Sequence, residues 1–307
     1  MEDGKRLVDV LIPTYKPGKR FGQLLDRLYR QKYPINQLII INTEQAFWNP
    51  QWEAGRENMQ VHHIAKADFD HGGTRRLGVS YASGDIFVWM TQDALPKDLD
   101  MLGNLIRPLE IEGVAASYAR QIPAINAHCI EAFTRSFNYP PKSSITWKRD
   151  LKKRGIKTYF CSDVCAAYNR EIYLQQGGFI PRAIFNEDMI FGAGLIQAGY
   201  GIAYAADAQV IHSHNYNCWQ QLQRNFDLGV SQAEHPEIFE SVPSEGAGIA
   251  LVGASLRYLL RERKPWLIPK LVVHSGFKYM GYQMGKHYER LPKKWLKVCT
   301  MTPNYWE

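Results

Sequence analysis

Four groups of residues in this sequence have the types and spacing to do chemistry. Asp93 stands in Thr91-Gln92-Asp93-Ala94, directly after an apolar run that ends at Met90. One carboxylate can hold Mg²⁺ or Mn²⁺ when substrate phosphates and waters complete the shell. It can equally cap a helix starting near Pro96. His212 and His214 lie two apart at the end of a strand-like piece. One would serve as a metal ligand and the other as a packed or hydrogen-bonded histidine. Glu187 and Asp188 follow Asn186 at the start of a helical pattern, where the helix dipole favours acids for structural reasons alone. The same dipole would keep Asp188 ionised and able to take a proton from an incoming hydroxyl, while weakening it as a base. His71-Gly72-Gly73-Thr74-Arg75 opens another helix, and it suits either a bound phosphate or a plain glycine turn. The spacings C-x-x-C and H-E-x-x-H are absent, as are a P-loop and a G-x-G-x-x-G after the first strand, so zinc, P-loop and dinucleotide sites are unsupported.

The elements that must position these groups alternate. Leu7 to Ile12 reads as a strand ended by Pro13, and Phe21, Leu24, Leu25 and Leu28 recur at helical spacing. Strands follow at 38–41, 61–64 and 86–90, with a helix over 73–82 closed by Gly84. Leu102, Leu105, Ile106 and Leu109 continue the pattern with a helix that Pro108 should end or kink. Such alternation implies βαβ units and a mostly parallel sheet covered on both faces, with ligands beyond the carboxyl ends of the strands. Further on, 160–168 is strand-like, Gly177-Gly178-Phe179 is a turn, and a helix runs from Asn186-Glu187-Asp188 to about Ala198. Strand pieces at 202–204 and 209–211 precede the histidines, and a helix holds Trp219, Gln221 and Arg224.

Composition narrows the class. With 307 residues, 45% of them hydrophobic and 12% aromatic, the chain can bury a large core, and disorder is excluded as its main state. Five cysteines are odd in number and sparse, which fits a reducing compartment better than a disulfide scaffold. The start, MEDGKRLVDV, has acids and no apolar core before the first strand, so no signal-peptide pattern is expected, and there is no apolar run of membrane-spanning length. The net charge of +7 is unevenly placed. Between Arg257 and Lys297 eleven Lys/Arg face two Glu, and between Lys142 and Lys157 seven face Asp150 alone, so the rest of the chain is acidic.

Six motifs in order carry a resemblance: Val10-Leu11-Ile12-Pro13-Thr14-Tyr15, Gly72-Gly73-Thr74-Arg75, Thr91-Gln92-Asp93-Ala94-Leu95-Pro96, Asn186-Glu187-Asp188-Met189, His212-Ser213-His214 and Gln221-Leu222-Gln223-Arg224. Together they resemble the inverting family 2 glycosyltransferases and, more narrowly, the rhamnosyltransferases that use TDP-L-rhamnose in streptococcal cell-wall polysaccharides. The resemblance implies a GT-A (Rossmann-like) α/β fold over 1–240, with a donor half over about 1–120 and an acceptor half over 121–240. It implies that Thr14, Tyr15 and Glu44 line the nucleoside pocket, that Arg75 and Gln92 lie near the nucleotide, and that Arg224 meets the diphosphate. It gives Asp93 and His214, less surely His212, a Mg²⁺ or Mn²⁺ ion, and makes Asp188 the general base. Glu187 and Trp147 fall on the acceptor side. The family's first acidic DXD position is Thr91 here, and Asn225 stands where its Q-x-x-R-W pattern has Trp. The implied reaction moves L-rhamnose from TDP-β-L-rhamnose to a lipid-linked rhamnose-containing saccharide with inversion, which gives an α-linkage.

The remaining residues, 241–307, read as a basic, aromatic helical extension. Val273, Phe277, Met280 and Met284 form one stripe, Lys270, His274, Lys278 and Lys286 another, and Trp266, Tyr279, Tyr288 and Trp295 add interfacial aromatics. That describes a helix on an anionic membrane surface, hence a cytoplasmic protein held peripherally at the inner face of the cell membrane. The alternative is a packed helical cap, which Gly276, Gly281 and Gly285 favour. The 142–157 segment would be an acceptor-side loop or an exposed basic helix. No nucleic-acid partner is expected, because no recognition motif accompanies the charge. The rival functions are a membrane- or nucleic-acid-associated binding protein with an inactive nucleotide-sugar fold, and a nucleotidyltransferase.

Overall fold

A computed structural model of the chain describes residues 5–240, 242 and 245–307. Nine strands form one sheet: β1 (Val8–Tyr15), β2 (Gln37–Thr43), β3 (Met59–Ile64), β4 (Ile86–Met90), β5 (Leu95–Pro96), β6 (Val114–Ile122), β7 (Ser144–Thr146), β8 (Cys165–Asn169) and β9 (Gly201–Ile211). Their spatial order is β3-β2-β1-β4-β8-β6-β9-β5, with β7 also on β9. β1 pairs in parallel with β2 and β4, β2 with β3, and β6 with β9, while β8 lies antiparallel between β4 and β6. One inverted strand therefore joins two parallel groups that point the same way. The carboxyl ends of β1, β2, β4, β6 and β9 gather on one edge, and the residues just before β8 arrive there too.

Helices cover both faces. On one lie α1 (Lys19–Leu28) and α3 (Met101–Ile106), whose Phe21, Leu24, Leu102 and Leu105 pack on Val8, Val10 and Ile12 of β1. On the other lie α2 (His71–Tyr81), α6 (Arg170–Gln175) and α7 (Glu187–Gln197), packed on Leu11, Ile39, Trp89 and Tyr168. The remaining helices are α4 (Cys129–Asn138), α5 (Leu151–Arg154), α8 (Cys218–Glu234), α9 (Pro236–Phe239), α10 (Glu245–Arg261), α11 (Ile268–Lys286) and α12 (Lys293–Cys299). Pro13 does not end the first strand. Pairing with β4 stops at Leu11, so β1 runs on to Tyr15 with β2 alone and the missing N–H of Pro13 breaks no ladder on the β4 side. Asp9, the charge inside that apolar strand, is buried and accepts from the Asn36 amide and from the backbone N–H groups of Ser83 and Gly84 at 2.7 Å. Pro108 does end α3, and the chain continues as a single 3₁₀ turn. The two strand pieces before the histidines are one strand, β9, irregular against β6 between Ala119 and Arg120. All five cysteines are free.

The C-terminal helices pack closely on the body. Gly281 and Gly285 of α11 lie against the backbone carbonyls of Leu222 and Phe226 in α8, where any Cβ would collide. Phe277 and Met284 turn inward to the cluster around Leu222, Phe226 and Val230, so the expected apolar stripe is divided, with Val273 and Met280 exposed. Tyr258 of α10 stacks on Phe133 of α4 at 4.3 Å. The outer face of α10 exposes Ile249, Val252, Leu256 and Leu260, and Trp266 follows it. Among the described residues no helix is long and apolar enough to cross a membrane. The expected boundary at 240/241 falls beside residues 241, 243 and 244, and the acidic start on residues 1–4, both outside the described residues.

Candidate active site

The gathered strand ends bring all four chemical groups to one edge. β4 ends at Met90 and β9 at Ile211, so Asp93 and the two histidines follow the ends of strands that run the same way. Residues two apart share a side, and just past the end of β9 both imidazoles point the same way. Nε2 of His212 and of His214 are 3.0 Å apart, and they lie 3.6 and 3.3 Å from Oδ2 of Asp93. Ligand atoms about 2.1 Å from an octahedral ion sit about 3 Å apart in neighbouring positions, so these three fit one face of such a shell. Nδ1 of His212 lies 2.9 Å from Oε1 of Gln121, whose amide nitrogen donates to Tyr139 and Ser162. That oxygen fixes the proton of His212 on Nδ1 and leaves Nε2 as a lone pair, the state a metal ligand needs. Burial pushes His212 down to about 3 and also lowers His214, so both stay neutral. Burial alone would raise Asp93, but the two imidazoles, Thr91 and Arg20 hold it below its usual value. Asp93 does not cap a helix: a turn and β5 follow it, and the next helix starts at Met101.

A second carboxylate cluster lies where β8 begins and α7 starts. Asp188 is half-buried, and its oxygens accept from the backbone N–H groups of Asp163 at 3.0 Å and Met189 at 2.7 Å. Burial, then the charges of Glu187 and Asp163, push its pKa up to about 8. The expectation that the helix start keeps Asp188 a weak base is corrected, because two neighbouring carboxylates and burial outweigh the dipole. Glu187 is not on an acceptor surface. It is buried and pairs with Nη1 of Arg75 at 2.9 Å, while Nε of Arg75 meets Asp163 at 2.9 Å. Arg75 is likewise corrected: it is buried, held between two carboxylates over Trp89, and unavailable to a phosphate. A buried guanidinium is tolerated only when paired in this way. Burial raises Asp163 to about 6, with Arg75 and the Tyr168 hydroxyl opposing, and Arg75 holds Glu187 low against its own burial. Sequence reasoning missed Asp163, although a lone acid in the apolar run 160–168 was a signal of the same kind as Asp9.

The third feature is a cleft of about 410 Å³ beside the ends of β1 and β2. Tyr15, Thr43 and Lys66 line one side, Phe185 and Arg224 another, and Met301 to Asn304 a third. Tyr15 is exposed, edge-on to Phe47 at 5.7 Å, with the ammonium groups of Lys16 and Lys66 at 5.2 and 5.9 Å from its ring. Glu44 sits beside it with φ of 66°, one carboxylate oxygen accepting from the Lys66 N–H at 2.5 Å. The Arg224 guanidinium rests 4.8 Å from the Phe185 ring and has no carboxylate partner among the described residues. A flat aromatic, free cations and a carboxylate suit a nucleotide. Two expected contacts are set back from this cleft. Thr14 is buried and donates to Asn42 at 2.9 Å. The Gln92 amide is consumed at both ends by the Tyr15 backbone, at 3.1 and 3.0 Å, so it positions Tyr15 and does not face the cleft.

Trp147 is elsewhere. It fills the space left by Gly113 and Gly201 at the starts of β6 and β9, and the eleven residues of β9, at about 3.3 Å each, put it about 30 Å from His212. The basic 142–157 segment, which holds β7 and α5, lies at that opposite pole, so its acceptor-side assignment is corrected as well. The C-terminal end is not confined to a membrane or acceptor face, since it walls the cleft beside Tyr15.

Residues 9–176 match the sequence pattern of glycosyl transferase family 2. The chain is 35% identical over 301 residues to the O-antigen chain rhamnosyltransferase RfbN of Salmonella typhimurium, covering 97% of this chain and 96% of that protein. It is 35% identical over 300 residues to the O-antigen chain rhamnosyltransferase WbaN of Salmonella anatum, covering 97% and 95%. Among solved structures, the mannosyltransferase PcManGT of Pyrobaculum calidifontis, in complex with GDP-Man and Mn²⁺, superposes with a TM-score of 0.57 at 15% identity over 99% of this chain and 86% of that one. Its likeness supports the GT-A fold, with strands mostly parallel and helices on both faces and at the C-terminus. With its family pattern spanning more than half the chain and two relatives aligned nearly end to end, the chain belongs to glycosyl transferase family 2 and is a glycosyltransferase.

Proposed function

We propose that this enzyme is an inverting rhamnosyltransferase of polysaccharide synthesis, moving L-rhamnose from TDP-β-L-rhamnose to a hydroxyl of a lipid-linked, rhamnose-containing saccharide. The two Salmonella relatives, both O-antigen chain rhamnosyltransferases, support the sugar, and the site supports the chemistry. The observation that carries the mechanism is Asp188, a carboxylate raised to about 8 by its surroundings and free of any ion pair among the described residues. Such a group accepts a proton near neutral pH far better than an ordinary carboxylate. Asp188 takes the proton of the acceptor hydroxyl as that oxygen bonds to the anomeric carbon, and the bond to TDP breaks on the opposite face. Inversion then gives an α-linkage. Tyr15, Glu44 and Lys66 hold the nucleoside, and Arg224 meets the diphosphate.

Asp93, His212 and His214 would hold Mg²⁺ or Mn²⁺, and the imidazole pair favours Mn²⁺. A bound ion there supplies positive charge to the departing diphosphate. The 1–240 body carries the acceptor site and, together with Met301 to Asn304, the donor site, and the 241–307 extension brings the protein to its lipid-linked acceptor. Exposed Ile249, Leu256, Leu260 and Trp266, with Arg257, Arg261, Arg263 and Lys264 between them, support contact with an anionic membrane at its cytoplasmic face.

The test is a transfer assay with TDP-L-rhamnose, UDP-glucose and GDP-mannose on a rhamnose-terminated lipid acceptor. TDP-L-rhamnose should be used in preference, with an α-anomeric product by NMR. Asp188→Asn should lower kcat by about 10²–10⁴-fold while TDP affinity holds. A preferred hexose other than rhamnose, or near wild-type turnover by the Asn variant, overturns the reading.

A further inference from the structure

We propose that the last residues of the chain form the outer wall of the nucleotide cleft, with Asp227 anchoring that wall and Asn304 positioning Lys66 against the nucleotide. The inference rests on the reading of the Tyr15 cleft as the donor's nucleotide site. It concerns a segment whose sequence, Cys-Thr-Met-Thr-Pro-Asn-Tyr-Trp-Glu, pointed only to an extension.

The wall is built, not draped. Asp227 of α8 is buried, and both of its carboxylate oxygens face the tail. Oδ1 accepts from the Thr300 hydroxyl at 2.5 Å and Oδ2 from the Met301 N–H at 2.9 Å. The Gln223 amide, one turn earlier, donates to the carbonyls of Val298 and Thr300 at 3.0 Å each. Beyond the cleft, Arg182 donates to the Tyr305 carbonyl at 2.7 Å and lies 4.7 Å from that ring, and the Tyr305 hydroxyl donates to Glu234 at 2.8 Å. Residues 301–304 are thus held from both sides while their own faces line the cleft opposite Tyr15 and Thr43.

The link to the nucleotide is Asn304. Its amide donates to the Lys66 carbonyl at 2.9 Å, while the Lys66 N–H donates to Glu44. Both backbone groups of Lys66 are therefore fixed by side chains, one from each wall, and its ammonium is left over the Tyr15 ring at 5.9 Å. A lysine held at its backbone but free at its head group is arranged to meet an anionic ligand that lies against Tyr15, such as a nucleoside diphosphate. Asn304 never touches that ligand in this scheme; it sets where Lys66 stands.

The experiment uses the full chain with TDP and Mn²⁺ as the probe. Wild type, Asn304→Ala, Asp227→Ala and Tyr15→Ala are compared by calorimetric TDP affinity, by donor and acceptor KM, and by hydrogen exchange of amides 300–306. TDP should protect those amides in the wild type. Asn304→Ala and Asp227→Ala should each weaken TDP binding about tenfold and raise donor KM, with acceptor KM unmoved and Asn304→Gln restoring part of the loss. Asn304 is a half-exposed side chain, so its variant reports even if Asp227→Ala folds poorly. If Tyr15→Ala weakens TDP while Asn304→Ala binds it as wild type and the tail amides do not respond, the wall is wrong and the cleft stands. If Tyr15→Ala also binds TDP unchanged, the reading of the cleft itself falls.

Discussion

Replacing Arg75 separates the two roles that this residue can be given. In the structure it faces Asp163 and Glu187 at 2.9 Å each, and all three side chains are at most 7% exposed. Arg75→Leu keeps much of the packing over Trp89 and removes the only cation paired with either carboxylate among the described residues. Breaking a buried ion pair from one side costs about 3–5 kcal/mol, because the partner is left charged without compensation. At about 2–4 °C per kcal/mol for a chain of this size, the melting temperature should fall by about 10 °C at pH 8. At pH 5 the stranded carboxylates can take up protons, so the loss should shrink by half or more. The inflection of kcat/KM with pH should also move above the value near 8 expected for Asp188, since less positive charge then opposes its burial. Arg75→Lys should recover little, because one ammonium cannot bridge two carboxylates in the guanidinium geometry. Thermal melts at both pH values and TDP calorimetry form the assay. An equal loss at pH 5 and pH 8 combined with weakened TDP binding would show that Arg75 binds the donor, and the ion-pair argument would be refuted.

Other perturbations follow from the same contacts. Asp163, Asp227 and Asp188 are raised from 3.8 to about 6, 7 and 8, so each stabilises the fold fully below about pH 4 and loses that contribution as pH rises through its folded value. Melting temperature should therefore decline between pH 5 and 8.5, and Asp188→Asn should flatten the upper part of that decline; a rise over this range contradicts the assignment. Gln121→Met should cut Mn²⁺ affinity of the TDP-bound enzyme by about 10–100-fold in a metal titration, because His212 loses the acceptor that fixes its tautomer. Unchanged affinity removes His212 from the metal shell. Glutamate at Ile249, Leu256 and Leu260 together should abolish sedimentation with vesicles of anionic lipid while leaving TDP affinity intact, and undiminished sedimentation rules out that face.

Much of the frame was legible because it is local. The alternation of strand and helix through Leu109 depends on apolar spacing within each element, and the strand at 86–90 and the helix from Glu187 appear where that spacing put them. Val114–Ile122 was hidden by Ser117, Arg120 and Gln121, polar residues in a strand that serve inward hydrogen bonds. Cys129–Asn138 carries a helical pattern in Ile130, Phe133 and Phe137. Trp147 stands in a basic segment and is expected on the acceptor side, and only the two glycines at the starts of β6 and β9, distant in sequence, mark it as a packed side chain.

The site corrections share one cause. Spacing tells which residues can meet a ligand, but not which have already met each other. Arg75, Glu187, Thr14 and Gln92 all have the chemistry a nucleotide sugar needs, and all spend it inside the chain: on carboxylates, on a guanidinium, on Asn42 and on the Tyr15 backbone. In a medium of low dielectric an unpaired charge or amide is costly, so a residue buried among others of complementary type is bound to them before any ligand arrives. What remains for the ligand is what the fold leaves without a partner. Arg224 rests on aromatic rings, Lys66 is held only through its backbone, Asp188 stands raised between two other acids, and the lone pairs of His212 and His214 converge beside Asp93. Those residues descend from widely separated parts of the chain, and their incompleteness, visible only once the neighbours are known, is what marks them as the working surface of the enzyme.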